Sequence, residues 1–359
     1  MTLRELKEDM KRRMGEIVPE VEIPLKAELI LEIRALKEEK NALILGHNYM
    51  EPALYTYVPD ERGDSLELSR KAAGTDKPII VFCGVKFMAE TAKILNPSKK
   101  VLIPSLEAGC SLAESITAED VRAIRALLPG VPIVTYVNTY ADVKAESDYC
   151  CTSGNADRVV KALGGGTVVF LPDQYLASNV AEQLGRRILF LKKEDGGLSP
   201  ILQDREGRDA ADVRDRSSWE GAVIGWRGRC EVHEKYTVDD VRRIRAQFPD
   251  VCVLAHPECA PEVVREADFA GSTRAMIDYV ESTEASRYLL LTECSMGDNI
   301  MAAHPEKKML RLCSVRCPHM NQITLEQTRD ALRYEQYEVF VDERMRERAL
   351  TAVERMLAL

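Results

Sequence analysis

Three of the ten cysteines in this chain stand seven residues ahead of a threonine, in the frames Cys110-SLAESI-Thr117, Cys230-EVHEKY-Thr237 and Cys317-PHMNQI-Thr324. Asp120, Asp240 or Gln327 follows three residues later, the spacing of a capping box that opens a helix. An arginine then stands five residues after each threonine: Arg122, Arg242 and Arg329. A frame used three times implies a triplicated unit, each copy delivering one thiol to a common point. Three thiolates converging on an axis can hold metal and leave one coordination position free, which is what separates a catalytic metal from a structural one.

A second set of residues repeats in the same way. Short apolar runs end in the pairs His47-x-Tyr49, Tyr136-x-Asn138 and His256-x-Glu258. Residues two apart on a strand share a face, so each pair is expected to point one way. About seventeen residues further on come Ser65, Ser153 and Thr273, each expected at the start of a helix. A hydroxyl beside free backbone N–H groups seats a carboxylate or phosphate. Imidazoles, phenols and one carboxylate can exchange protons beside it. Together these groups describe a site for a small polyanion with the cysteines as its floor.

The elements that must position these residues are legible as well. Residues 117–161 laid on 237–281, shifted by 120 without a gap, match at Thr117/Thr237, Asp120/Asp240, Arg122/Arg242, Arg125/Arg245, Pro129/Pro249 and Asp148/Asp268. TAEDVRAIRALLPGVPIVTYVN and TVDDVRRIRAQFPDVCVLAHPE both predict helix, turn and buried strand. LILEIRALKEEKNALILGHNY is a weaker third copy. The expected fold is α/β, with three related α/β/α units, each with a small parallel sheet, around a pseudo-threefold axis. Parallel strands place functional groups at their carboxyl ends. The units are expected at 1–112 (with an N-terminal extension), 113–232 and 233–323. Helices over 324–359 are expected to pack back on the first unit. The polar stretch over about 192–220 reads as a long exposed loop or insertion ahead of the third unit.

Composition sets outer bounds. A net charge of −9 and pI near 5.4, with no basic stripe, argue against a nucleic-acid partner. No run of about eighteen apolar residues predicts a membrane span. The N-terminus is charged and helical rather than signal-like, so ten cysteines point to a reducing, cytoplasmic setting in which thiols are ligands, reactive groups or core residues. Cys83, Cys150, Cys151, Cys252, Cys259 and Cys294 read as packing residues. Cys313 is the rival to Cys317 as third ligand, since CSVRC offers both. His304 and His319 have no repeat position, and Asp64 reads as ordering the turn before Ser65.

The strings GHNYMEP, GDSLELSR, GCSLAES, VNTYADVKAESDYCCTSGN, CEVHEKYT, AHPEC, GSTRAM and CPHMN, in this order from about Leu29 to Thr328, resemble the quinolinate synthases, iron–sulfur enzymes of de novo NAD synthesis. The resemblance implies three α/β/α units around the active site and one [4Fe–4S] cluster per chain, held by Cys110, Cys230 and Cys317 with its fourth iron open to substrate. It implies condensation of iminoaspartate with dihydroxyacetone phosphate to give quinolinate, and a possible link to an aspartate-oxidising enzyme. Glu258, Tyr49 and His256 would be catalytic. His47, Ser65, Tyr136, Asn138, Ser153, His233 and Thr273 would hold substrate. Two departures stand out. The Cys-x-x-Cys-x-x-Cys run of some bacterial members is absent here, and the polar stretch before Cys230 is long.

Overall fold

The computed structural model describes residues 1–195, 197–310 and 315–359; Cys313, the rival third ligand, lies outside the described residues. Three sheets carry the chain. In the first, β1 (Ala42–His47), β2 (Glu61–Gly63), β3 (Ile79–Cys83) and β4 (Lys100–Leu102) run parallel in the order β2-β1-β3-β4. The third sheet repeats this with β14 (Val251–Ala255), β15 (Phe269–Ala270), β16 (Arg287–Leu291) and β17 (Met309–Leu310), ordered β15-β14-β16-β17 and again parallel. The middle sheet contains the same arrangement as β6 (Tyr149–Cys151), β5 (Ile133–Tyr136), β7 (Val168–Leu171) and β13 (Val223–Gly225). The fold is thus α/β with several small parallel sheets, as the sequence predicts.

A polar skeleton holds each copy in the same shape. Thr117, Thr237 and Thr324 each form the expected capping box, opening the helices Ala118–Leu127, Val238–Gln247 and Leu325–Tyr334. Arg125 and Arg245 each reach back to a carbonyl, that of Glu146 at 2.8 Å and of Glu266 at 3.0 Å. Arg34 bonds the Tyr57 carbonyl at 2.9 Å in the first copy. An aspartate then fixes the start of each leading strand: Asp60 accepts from Ile44 N–H, Asp148 from Ile133 N–H and Asp268 from Val253 N–H. These partially exposed bonds add little stability individually. Their value is geometric, since they set the angle between helix and strand.

The polar stretch, expected as an exposed loop or an insertion, carries strands of its own. After β8 (Ile188–Phe190) it forms a hairpin of β9 (Lys193–Glu194) and β10 (Gly197–Leu198), then β11 (Ile201–Gln203) and β12 (Asp209–Asp212). β11 and β12 extend the middle sheet antiparallel, giving the order β12-β11-β8-β13-β7-β5-β6. Leu202, Ala211 and Trp219 are buried in a core under this extension. A two-residue apolar alternation is too short to read as a strand, and the ladder it joins is made by residues distant in sequence. β13 then inserts between β8 and β7, so the extension interrupts the middle copy along the chain.

At the C-terminal end, the helix Leu325–Tyr334 packs against Ile23–Lys40 of the first copy. The last helix, Glu343–Leu357, lies on Ala141–Glu146 and β6 of the middle copy, and also meets Lys86–Leu95 of the first.

Candidate functional site

All thirteen residues singled out from the sequence line one cavity between the three sheets: His47, Tyr49, Ser65, Cys110, Tyr136, Asn138, Ser153, Cys230, His233, His256, Glu258, Thr273 and Cys317. Hydrogen bonds that cross between sheets hold its walls together. Asn48 donates to Thr273 Oγ1 at 2.9 Å and Tyr136 donates to Glu258 Oε1 at 2.5 Å.

The polar pairs straddle the strand ends and do not lie along them. β1 stops at His47, β5 at Tyr136 and β14 before His256, so Tyr49, Asn138 and Glu258 sit in the turns beyond. Their common orientation comes from the turn. Tyr49 N–H donates to His47 Nδ1 at 3.2 Å, and Glu258 N–H donates to His256 Nδ1 at 3.3 Å. An Nδ1 that accepts leaves the ring proton on Nε2, so both neutral imidazoles are donors from that nitrogen. Burial holds both rings neutral, with pKa values near 3, although the Glu258 charge pulls the other way.

Glu258 is the most constrained group. It is buried, with His233 Nδ1 2.8 Å from Oε2 and Tyr136 Oη on Oε1. Burial works against its charge, but His233 and the hydrogen bonds from His233 and Tyr136 outweigh it and keep the carboxyl ionised. Asp173, fully buried nearby, is pushed far above the ordinary range by burial and by that same charge. Burial and the Glu258 charge likewise push the Tyr49 and Tyr136 phenols up.

One connection was not anticipated. Thr292, buried at the end of β16, shares a hydrogen bond with the Tyr49 hydroxyl and lies 2.9 Å from His233 Nε2. Tyr49, Thr292, His233, Glu258 and Tyr136 therefore form an unbroken chain of hydrogen bonds across the cavity wall. Glu293 follows Thr292, caps the next helix through Ser295 N–H, and also lines the cavity. His319 lines it too, its Nε2 3.0 Å from Glu231 Oε1, whereas His304 lies beside Glu281 and Glu306 away from it. The signal for Thr292 and Glu293 was a polar pair closing the apolar run RYLLL, but its position has no polar counterpart after β3.

The hydroxyl residues differ from one another. Ser65 and Thr273 are the first residues of the helices Ser65–Gly74 and Thr273–Ser282. Ser153 sits in a turn, because the Asn155 amide accepts from Thr152 N–H and delays the helix to Ala156. Asp64 takes the Leu66 and Glu67 N–H groups, so it caps the helix as well as bordering the cavity. Asn138 Oδ1 is buried without a partner among the described residues, an acceptor waiting for a donor.

Cys110, Cys230 and Cys317 come from the loops that follow β4, β13 and β17. All three are free thiols, raised by burial, Cys110 to about 12 and Cys317 to about 11. Negative charge on Cys317 raises Cys110 and charge on Cys110 raises Cys230, so the sulfurs share one neighbourhood. Cys83, Cys150, Cys151 and Cys259 are buried core residues. Donor atoms of Cys230, His233 and Glu258 also lie within 4.8 Å of one another. The 2.8 Å His233–Glu258 separation is a hydrogen bond. Two ligands on one tetrahedral ion with bonds of about 2.1 Å stand about 3.4 Å apart.

Residues 31–358 match the family described as Quinolinate synthetase A protein. The chain is 50% identical over 347 residues to "Quinolinate synthase 2" of Mesorhizobium japonicum, covering 97% of this chain and 96% of that one. It is 50% identical over 324 residues to the quinolinate synthase of Xylella fastidiosa (90% and 85% covered) and 47% identical over 347 residues to that of Agrobacterium fabrum (97% and 90%). No helix among the described residues is long and apolar enough to cross a membrane. With a family match over residues 31–358 and near-complete coverage at half identity, the chain belongs to the quinolinate synthase family.

Proposed function

We propose that this chain condenses iminoaspartate with dihydroxyacetone phosphate to give quinolinate, releasing phosphate and two molecules of water. The observation that carries this reading is the cavity itself, which gathers three thiols and an ionised, relay-connected carboxylate, with Cys230 within 4.8 Å of Glu258.

The thiols fit a [4Fe–4S] cluster. They are soft donors from three separate loops, none is spent in a disulfide, and Cys230 and Cys317 touch both the core of the first sheets and that of the third. Burial raises all three thiols, and a bound cation would favour their ionised form. Cys110, Cys230 and Cys317 would hold the cluster, which would supply Lewis acidity from an iron that no protein side chain occupies.

The remaining roles belong to the chain. Glu258 accepts and returns the protons that condensation, isomerisation and dehydration move. Tyr49 donates at the far end of the relay through Thr292 and His233, its phenol kept protonated by burial. His47 and His256 offer Nε2–H donors to substrate oxygens, and staying neutral they do so without a formal charge. Tyr136 holds Glu258 in place and, with Asn138, faces the carboxylate-bearing partner. Ser65, Ser153 and Thr273 seat carboxylates and phosphate. Iminoaspartate is the product of aspartate oxidation, so an aspartate-oxidising enzyme in the same reducing compartment would supply it.

Anaerobic purification with iron and sulfide analysis, followed by a quinolinate assay, tests the reading. About four irons and four sulfides per chain with turnover are expected. Cys110→Ser, Cys230→Ser and Cys317→Ser should each abolish the cluster. A cluster-bearing protein that turns over a hydroxy acid and forms no quinolinate would identify a dehydratase instead.

A further inference from the structure

The loops that carry Cys110, Cys230 and Cys317 are fastened to the fold at one repeated point. The helices after β3, β7 and β16 are Lys86–Leu95, Gln174–Gln183 and Cys294–Ala303. The first N–H of each donates to a carbonyl two residues ahead of a cysteine. Lys86 N–H bonds Ala108 O at 2.8 Å, Gln174 N–H bonds Gly228 O at 2.8 Å, and Cys294 N–H bonds Val315 O at 3.1 Å. A helix N-terminus has N–H groups to spare, and here one of them anchors a loop.

The anchors are reinforced unequally. At the middle loop Gly228 N–H returns a bond to Pro172 O at 3.0 Å. A Cβ at Gly228 would meet that oxygen at 2.7 Å, so only glycine allows the approach. Arg229, the residue before Cys230, donates from Nε to the Gln174 side chain at 3.1 Å and stacks over Tyr175 at 5.1 Å. At the third loop Arg316, the residue before Cys317, donates to Ser295 Oγ at 3.2 Å and faces Asp298 at 3.5 Å. Ser295 is itself held by Glu293, whose carboxylate takes Ser295 N–H at 2.7 Å. At the first loop the residue before Cys110 is Gly109, with no side chain to reach anything. Two of the three cysteines are thus preceded by an arginine that reaches the start of the same helix.

We propose that Arg229 and Arg316 are positioning residues that staple the Cys230 and Cys317 loops to those helices and so slow escape of the metal centre. A guanidinium suits the task because its fixed fork of donors spans two acceptors at once. Both arginines are exposed, so they hold the loops in place without forming part of the core. The inference rests on the three cysteines being the ligands, as proposed above.

The test compares Arg229→Ala, Arg316→Ala and the double variant with wild type, each reconstituted anaerobically, by the rate at which excess ferrous chelator removes iron. Each single variant should speed release about two- to fivefold, the scale of an exposed charged contact, and the double variant should exceed either single one. Arg316→Lys, which keeps one contact, should fall between. Arg333→Ala, on a distant exposed arginine, should match wild type. Circular dichroism of the metal-free proteins should be unchanged. A variant that never takes up iron but folds normally supports the proposal. If an alanine variant misfolds, the lysine variant decides alone. Wild-type release rates in every arginine variant, with Cys317→Ser still losing the cluster, would overturn the staple and leave the ligands standing. A normal cluster in Cys317→Ser would overturn the ligand assignment itself.

Discussion

The corner after β1 and the corner after β14 have the same construction and opposite chemistry. In each, a histidine closes the strand, its Nδ1 accepts the N–H two residues later, and burial keeps the ring neutral near pKa 3. The residue that supplies that N–H is Tyr49 in one and Glu258 in the other. The phenol is driven upward and stays a donor, whereas the carboxyl is driven downward and stays an anion. The middle corner, with Tyr136 and Asn138, has no histidine and serves by bonding Glu258. The repeat fixes where a side chain sits, and its identity decides which way the proton goes.

The comparison makes its strongest claim at Glu258. Glu258→Gln should cost at least about a hundredfold in turnover while the cluster spectrum and binding of a product analogue persist. Activity within a few-fold of wild type would remove the carboxylate from the mechanism and leave Tyr49 as the proton donor. Tyr49→Phe should also lower kcat, and Thr292→Val should reproduce part of that loss by cutting the relay. A Thr292→Val enzyme with unchanged kcat would reduce the hydrogen-bonded chain to scaffolding.

The anion seats come next. Alanine at Ser65, Ser153 or Thr273 should cost roughly ten- to hundredfold in kcat/KM with the cluster spectrum intact, the value of one hydrogen bond to a charged group. Three near-normal variants would show that these positions repeat for architectural reasons.

The neutral histidines can be tested by titration. With folded pKa values near 3, depressed from the usual imidazole range, neither His47 nor His256 should gain a proton between pH 5 and 8. Nitrogen-15 shifts of the two rings in a metal-free Cys-to-Ser variant should stay flat over that window. Because the unfolded rings do protonate there, these sites should lower stability as pH falls through about 6.5. A titration midpoint near 6.5 in the folded protein would contradict the burial argument.

The smallest effect separates scaffold from site. Thr117→Ala and Thr237→Ala each remove a capping box and should cost about 1 kcal/mol in urea unfolding. The quinolinate assay should be unaffected.

The repeat was legible because its determinants are local. Capping threonines, the Arg125/Arg245 and Asp148/Asp268 pairs, and apolar runs of strand length act within a single copy of the repeat, so spacing alone exposes them. The thirteen expected site residues that line the cavity followed from that periodicity and from the motifs that resemble the family. Three things did not follow. The strands β11 and β12 were hidden because a short polar segment becomes a strand only when a distant ladder offers its edge. Thr292 and Glu293 were missed because their meaning lies in what they touch: a tyrosine and a histidine from other sheets, and the loop that carries Cys317. The electrostatic state of Glu258 was also beyond the sequence, since it depends on His233 and Tyr136 meeting it in one desolvated place. The sequence by itself determined which side chains repeat and at what spacing. Only the tertiary structure decided which of them share a proton, because burial and cross-sheet contact, and not neighbours along the chain, set charge and hydrogen-bond direction.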